Sequence, residues 1–177
     1  DDIFVGGGKN QESQLFLSGN DGYTAHNYFA DTRASEVVGA QFFDSDGDGD
    51  LDLYVAHGGK GFSIYAPELN DALYLNDGSG KFGRIGQSLS FPYPVSTGDF
   101  VIADMNNDER PDIVVGEGMK TNTYGLPGNC LVLWNSGNNN FVPAAIPAGQ
   151  NLGLIEALST ADINGDGWQD ILLAGPF

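Results

Sequence analysis

Three short acidic segments carry the residue types and the spacing that bind a metal ion. They read DSDGDGDLD (44–52), DMNNDERPD (104–112) and DINGDGWQD (162–170), with Asp or Asn at positions 1, 3 and 5 and Asp at position 9. Calcium is a hard cation that takes about six to eight oxygen ligands. Side-chain oxygens at these positions of a tight loop, together with the backbone carbonyl of position 7, therefore predict a calcium site in each segment.

The first and third loops fit this pattern fully. Position 6 is glycine in both, and glycine readily adopts the positive φ that aims the position-7 carbonyl inward. The predicted ligands of the first loop are Asp44, Asp46, Asp48, the carbonyl of Asp50, and Asp52, with Gly49 at the turn. Those of the third loop are Asp162, Asn164, Asp166, the carbonyl of Trp168, and Asp170, with Gly167 at the turn. We expect the carboxylate at position 9 to close the ligand shell with both of its oxygens.

The second loop departs from the pattern at position 6. Its predicted ligands are Asp104, Asn106, Asp108, the carbonyl of Arg110, and Asp112. Glu109 replaces the glycine, and a non-glycine residue with positive φ is strained. Arg110 adds a positive charge beside the site, although we expect only its carbonyl to point at the metal. The second loop is therefore predicted to be the weakest of the three.

Other identities for these loops fit less well. An acidic turn between strands is often only solvated, but three loops in the same register favour cation binding. An all-oxygen ligand set argues against zinc and copper, and magnesium demands a tighter octahedron and prefers to keep its waters. An EF-hand would need Glu at position 12, and a dockerin-type loop would need a following helix that LYVA or IVVG would not readily form. Because each loop lies between strands, we predict that calcium has a structural role.

The loops recur on a regular spacing that defines a repeat. Their first aspartates are 60 and 58 residues apart, and the triplets LFL (15–17), LYL (73–75) and LVL (131–133) recur every 58 residues. Alternating apolar residues flank each loop, and turn-like stretches follow the second and third triplets. The sequence thus predicts an all-β fold of four-stranded antiparallel units resembling propeller blades. Their predicted bounds are 1–35 (incomplete), 36–94, 95–150 and 151–177 (incomplete), all within one partial propeller.

The two ends of the sequence indicate an internal piece of a longer chain. The opening segment DDIFVGGG matches the residues that follow the other acidic loops, so Asp2 aligns with position 9. About three blades' worth of strands are present, whereas a propeller ring usually needs about four to eight blades. We therefore expect further blades in the parent protein.

Composition excludes several classes of partner. The chain of 177 residues has 24 acidic and 7 basic side chains, a formal net charge of −17. Such a surface repels nucleic-acid phosphates and anionic lipid headgroups, so we expect no nucleic-acid partner and no membrane insertion. Bound cations would neutralise part of this charge. The single cysteine, Cys130, rules out an internal disulfide framework.

At these residues the sequence resembles the FG-GAP/VCBS-type repeats of calcium-binding β-propellers, which include the integrin α-subunit head and the cartilage acidic protein family. The segments that carry the resemblance are DSDGDGDLDLYVA (44–56), LYLNDGSGKF (73–82) and ADINGDGWQDILLAG (161–175). It implies a seven- or eight-bladed propeller in the parent protein, secreted or displayed on a cell surface. The family repeat indicates a fold and calcium, but it does not determine a ligand.

No catalytic constellation stands out in the sequence. His57, in AHGGKG, is interpreted as a surface turn histidine, and the carboxylates already belong to the loops. We therefore expect a non-enzymatic, calcium-stabilised scaffold that binds protein or glycan through the long connections 59–71 and 117–129. The alternatives are part of a propeller-fold lyase or hydrolase, which clustering of His57 with Lys60 and carboxylates would favour, or a multivalent lectin.

Overall fold

The computed structural model describes residues 2–86, 89, 91, 93–119, 127–147 and 151–175. Thirteen strands, β1 to β13, form four antiparallel sheets that follow one another along the sequence. No α-helix occurs in the described part of the chain, and short 3₁₀ turns, such as Ala30–Ala34 and Pro67–Leu69, lie in connections. No helix among these residues is long and apolar enough to cross a membrane. The predicted all-β class is confirmed.

The second and third sheets each have four strands in sequence order. The second sheet contains Val37–Phe43 (β4), Asp52–His57 (β5), Ala72–Asn76 (β6) and Phe82–Arg84 (β7). The third contains Thr97–Ala103 (β8), Asp112–Glu117 (β9), Cys130–Asn135 (β10) and Phe141–Ala145 (β11). In both sheets the acidic loop joins the first strand to the second, as predicted from the flanking alternation.

The first and fourth sheets contain fewer strands. The first consists of Ile3–Val5 (β1), Gln14–Gly19 (β2) and Gly22–His26 (β3), and the fourth of Ala157–Ala161 (β12) and Asp170–Ala174 (β13). The third acidic loop joins β12 to β13. Within the described ranges these sheets are consistent with propeller blades, and they do not close into a ring.

Apolar side chains pack the sheets face to face. Strand β5 is buried along its whole length. Leu53 and Val55 lie in the core between the first and second sheets, whereas Tyr54 and Ala56 lie in the core between the second and third. Alternate side chains of a strand point to opposite faces, so a continuously apolar strand can supply two cores at once.

The third sheet repeats this arrangement on both of its sides. Ile113 and Val115 face the second sheet, and Val114 faces the fourth, where it packs near Ile155 and Leu158. The large rings at these interfaces, such as Tyr54 against Phe100 at a centroid distance of 4.8 Å, therefore contribute to packing between the sheets.

The leucine triplets are not equivalent positions throughout. Leu53 pairs with Tyr74 in the second sheet, and its counterpart Ile113 pairs with Leu133 in the third. The structural equivalence between β6 and β10 is therefore 59 residues, and LVL lies one position out of register with LYL. A one-residue shift exchanges the two faces of a strand, so the regular spacing of 58 was wrong for this pair. The physical reason is a connection after β9 that is one residue shorter than the one after β5.

Candidate metal centre

All three acidic loops lie at the same end of the sheets. Each loop follows the first strand, and the hairpin turns between the third and fourth strands lie at that end as well, because the strands are antiparallel. The longer connections leave the opposite end. The end with the acidic loops is called the loop end below, and the other is called the connection end.

The first aspartate of each loop organises the turn. Its Oδ2 accepts a hydrogen bond from the backbone N–H of position 6, which is Gly49, Glu109 or Gly167, at 3.1, 2.8 and 2.9 Å respectively. The N–H of Gly167 is the main reason that the pKa of Asp162 is lowered. Partial burial acts to raise the pKa of Asp104, but its backbone donors outweigh this effect and lower it. Both carboxylates are thus held in the ionised form that a cation requires.

Position 5 makes a second conserved contact within each loop. Its Oδ1 accepts a hydrogen bond from the backbone N–H of position 7, over 2.9, 3.0 and 2.9 Å in the three loops. The position-7 residues are Asp50, Arg110 and Trp168, and their coordination through the carbonyl stays a prediction. The repetition shows that one backbone frame is built three times from different sequences.

The backbone angles explain why position 6 is special. Gly49 and Gly167 have φ of 94° and 88°, and Glu109 takes the same left-handed region with φ of 66°. The strain expected for Glu109 is therefore present in the second loop. Position 4 is also left-handed, at Gly47, Asn107 and Gly165 with φ of 81°, 57° and 75°, which the sequence reasoning did not anticipate.

The aspartate at position 9 has a role that the sequence reasoning missed. Both oxygens of Asp52 accept backbone hydrogen bonds, Oδ2 from Ser45 N–H at 3.1 Å and Oδ1 from Asn76 N–H at 2.9 Å. The Ser45 hydroxyl also donates to Oδ2. Asp52 is 1% exposed, and burial raises its pKa. This carboxylate therefore ties the loop to the third strand of its sheet.

The same arrangement recurs in the other loops. Asp112 accepts from the N–H groups of Met105 at 3.1 Å and Asn135 at 2.8 Å, and burial likewise raises its pKa. Asp170 accepts from the N–H of Ile163 at 3.0 Å. An ionised carboxylate oxygen has two lone pairs, so coordination by position 9 remains a prediction alongside this structural role.

The first loop brings three carboxylates together. Oxygens of Asp44, Asp46 and Asp48 all lie within 4.8 Å of one another, and no other group of three His, Cys, Asp or Glu side chains does so in the described residues. The donors are oxygen only, at least three carboxylates converge, and the loop leaves position 6 free of a side chain. This donor set fits calcium. In the second and third loops Asn106 and Asn164 offer an amide oxygen in place of the second carboxylate.

Arg110 interacts with the second loop through its side chain as well. Its guanidinium forms an ion pair with Asp108, one of the predicted ligands, and its Nε donates to the Asn135 carbonyl at 2.9 Å. The expectation that only its carbonyl would matter was wrong, because the fork of the guanidinium reaches both groups from position 7. A cation entering this loop must compete with Arg110 for Asp108.

His57 is not on the surface. It is 2% exposed, its backbone N–H donates to Asp71 at 2.6 Å, and its Nδ1 lies 2.8 Å from the Asn70 carbonyl. Burial lowers the pKa of His57, which keeps the ring neutral. The interpretation as a surface turn histidine was wrong because His57 is the last residue of β5, a strand packed on both faces.

Comparison with known proteins follows from this geometry. A model of the FG-GAP-like repeat matches residues 62–115 and 123–173, more than half of the chain. The chain belongs to the FG-GAP-like repeat family. The first FG-GAP-like match contains the second acidic loop and the second match contains the third, whereas the loop at 44–52 precedes both. A search of curated proteins gave no significant match.

Proposed function

We propose that this chain is a calcium-stabilised segment of an FG-GAP-type β-propeller, and that it serves as a non-enzymatic scaffold for binding a protein or a glycan outside the cytoplasm. The observation that carries the proposal is the convergence of Asp44, Asp46 and Asp48 within a loop frame that the chain builds three times. Calcium binding would offset part of the charge of −17.

The position of the loops supports a structural role for calcium. Each loop is tied through its position-9 aspartate to the interior of a sheet, so ion binding and local folding share the same hydrogen bonds. A ligand that binds only the folded state stabilises that state by mass action. Calcium would therefore act as a clasp between the first two strands of a blade.

Binding of a partner is assigned to the connection end. Residues 59–71 form a long connection there, in which Lys9 Nζ donates to the Gly61 carbonyl at 3.2 Å and lies 4.7 Å from the centre of the Phe62 ring. Tyr65, on the same connection, is 72% exposed. An anchored loop that presents an exposed tyrosine ring suits recognition of a protein or glycan. The second candidate connection, 117–129, lies partly outside the described residues, which omit 120–126.

The buried His57 supports a scaffold over a hydrolase or lyase. Its neutral ring is enclosed at the interface of β5 with its neighbours, where a bulky substrate has no access. Localisation outside the cytoplasm is proposed from the family resemblance, and cell fractionation of the source organism tests it.

Calcium-dependent thermal melting tests the calcium assignment directly. We expect the melting temperature of the full chain in EDTA to rise when calcium is added in excess, and to rise less with magnesium. An identical melting curve with and without calcium would contradict the proposal. A glycan array and a pull-down with wild type and Tyr65→Ala then test the binding surface, and a lyase or hydrolase activity of the purified chain would overturn the scaffold assignment.

A further inference from the structure

The hairpin turn of the third sheet reaches across to the acidic loop of the second sheet. This hairpin, 135–141, connects β10 to β11. The Asn135 side-chain Nδ2 donates to the Ser45 carbonyl at 2.8 Å, and the Asn139 Nδ2 donates to Asp46 Oδ2 at 3.2 Å. One of these contacts therefore holds the loop backbone, and the other holds a predicted calcium ligand.

Asn135 is also part of the frame of the second loop. Its Nδ2 donates to the Pro111 carbonyl at 3.2 Å, and its backbone N–H donates to Asp112 at 2.8 Å. Its carbonyl accepts from Arg110 Nε at 2.9 Å. Asn135 is 2% exposed, so these contacts are shielded from water. A single buried side chain is thus shared by the first and second acidic loops.

The contact with Ser45 leads directly to the ligands of the first loop. Ser45 lies between Asp44 and Asp46 in the sequence, and its own N–H and hydroxyl hold Asp52. A change in the position of Ser45 therefore moves the loop on both sides. The chain of contacts from Asp112 through Asn135 to Ser45 connects the position-9 carboxylates of two neighbouring loops.

The second sheet contains a matched hairpin without this reach. Asn76 is the counterpart of Asn135, and its N–H donates to Asp52 while its Nδ2 donates to the Leu51 carbonyl at 3.3 Å, both within its own sheet. Gly80 is the counterpart of Asn139 and has no side chain, with φ of 82° against 58°. The chain therefore offers an internal control at both positions.

We propose that Asn135 and Asn139 couple the first and second acidic loops, so that calcium bound in one loop raises the affinity of the other. This inference rests on the proposed binding of calcium. An ion in the second loop fixes Asp112 and Pro111, which orients the Asn135 amide toward Ser45 and preorganises the first loop. Coupling of this kind is reciprocal between the two sites, and ordering that the first ion has already imposed need not be repeated by the second.

The experiment follows the first loop by itself. The amide resonances of Gly47 and Gly49 in ¹H–¹⁵N spectra of the full chain report its occupancy during a CaCl₂ titration. The second loop is disabled with the double substitution Asp104→Asn and Asp108→Asn, in 0.15 M KCl to screen the change of charge. We expect this double substitution to weaken calcium binding at the first loop by about five-fold.

The same double substitution is then made in three further backgrounds. With Asn135→Ala or with Asn139→Gly, we expect it to weaken the first loop by no more than about two-fold. With Asn76→Ala, which removes only contacts inside the second sheet, we expect the full effect to remain. Asn139→Gly copies the residue that the second sheet uses, so it preserves the fold if Asn135→Ala does not.

The outcomes distinguish this inference from the proposed function. If no loop resonance responds to calcium, the calcium assignment and the coupling both fail. If Gly47 and Gly49 respond but disabling the second loop leaves their affinity unchanged, or strengthens it, only the coupling is overturned. An equal loss of coupling in the Asn76→Ala background would also overturn the specific role of the third-sheet hairpin.

Discussion

The second and third sheets solve the same structural problem at their loop ends. In each, a buried aspartate at position 9 accepts backbone hydrogen bonds from its own loop and from an asparagine that ends the third strand. These aspartates, Asp52 and Asp112, are 1% and 0% exposed. Agreement between two sheets of different sequence shows which positions the fold itself requires.

The same sheets differ where a residue faces the metal or the connection end. Glu109 occupies the left-handed position that Gly49 fills in the first loop. At the connection end the second sheet buries Asp71 before β6, and the pairing of β10 places Cys130 at the equivalent position of the third sheet. The difference teaches that the loop frame is common to both sheets, whereas the charge around it is specific to each.

Removal of the shared aspartate is expected to have the largest effect. Asp52→Ala leaves the N–H groups of Ser45 and Asn76 without their acceptor, and Asp112→Ala does the same in the third sheet. We expect each to lower the free energy of unfolding by about 3 kcal/mol, measured by urea denaturation in EDTA. A loss confined to one of the two variants would break the equivalence of the sheets.

The buried Asp71 is expected to make stability depend on pH through the second sheet alone. Burial raises the pKa of Asp71 from 3.8 to about 7, against the N–H of His57 and the hydroxyls of Tyr54 and Thr97, which lower it. The folded state thus keeps a proton that the unfolded state has lost. The stabilisation is fully present below about pH 4 and is lost as the pH rises through about 7.

The free energy of unfolding measured at pH 5 and at pH 8 tests this assignment. We expect wild type to lose about 2–3 kcal/mol more than Asp71→Asn over this range, because the asparagine does not titrate. The comparison between the two proteins cancels the opposite contribution of His57, whose lowered pKa reduces stability as the pH falls below 6.5. Equal slopes for the two proteins would refute the role of Asp71.

Calcium is expected to distinguish the first loop from the second. At about a hundred-fold excess over its dissociation constant, one ion stabilises the folded chain by about 3 kcal/mol. Asp48→Ala removes a carboxylate from the converging group of the first loop, whereas Asn106→Ala removes a neutral ligand from a loop in which Arg110 competes. The rise in melting temperature between EDTA and calcium should therefore fall more in Asp48→Ala. Equal reductions in the two variants would contradict the ranking of the loops.

The backbone at position 6 is expected to give the smallest effect. Glu109→Gly relieves a left-handed glutamate and should stabilise the chain by about 1 kcal/mol in EDTA. The matched control is Gly49→Ala, because a Cβ at Gly49 meets no atom within 4 Å and any loss comes from the backbone alone. We expect this control to destabilise by a similar amount in urea denaturation. If neither variant changes stability, the strain at Glu109 is negligible.

Much of the candidate site could be predicted because its information is local. The spacing of aspartates and glycines within nine residues defines the turn, and the left-handed angles at Gly49, Gly167 and Glu109 agree with that expectation. The second role of Asp52 could not be predicted in this way, because its partner Asn76 lies in another strand. The register of LVL was misjudged for the same reason, since only strand pairing shows which residues are opposite each other.

The sequence by itself determined the repeat, the all-β class, the membership of a propeller-type family and the positions of three acidic loops, since each depends on short-range residue patterns. Tertiary structure alone decided that Asp71 and His57 are buried and that Arg110 holds Asp108. It also decided that Asn135 joins two loops, with its partner Ser45 90 residues away in the chain. Such contacts arise from the packing of one sheet against the next, and the residues that make them carry no local pattern that would reveal their partners.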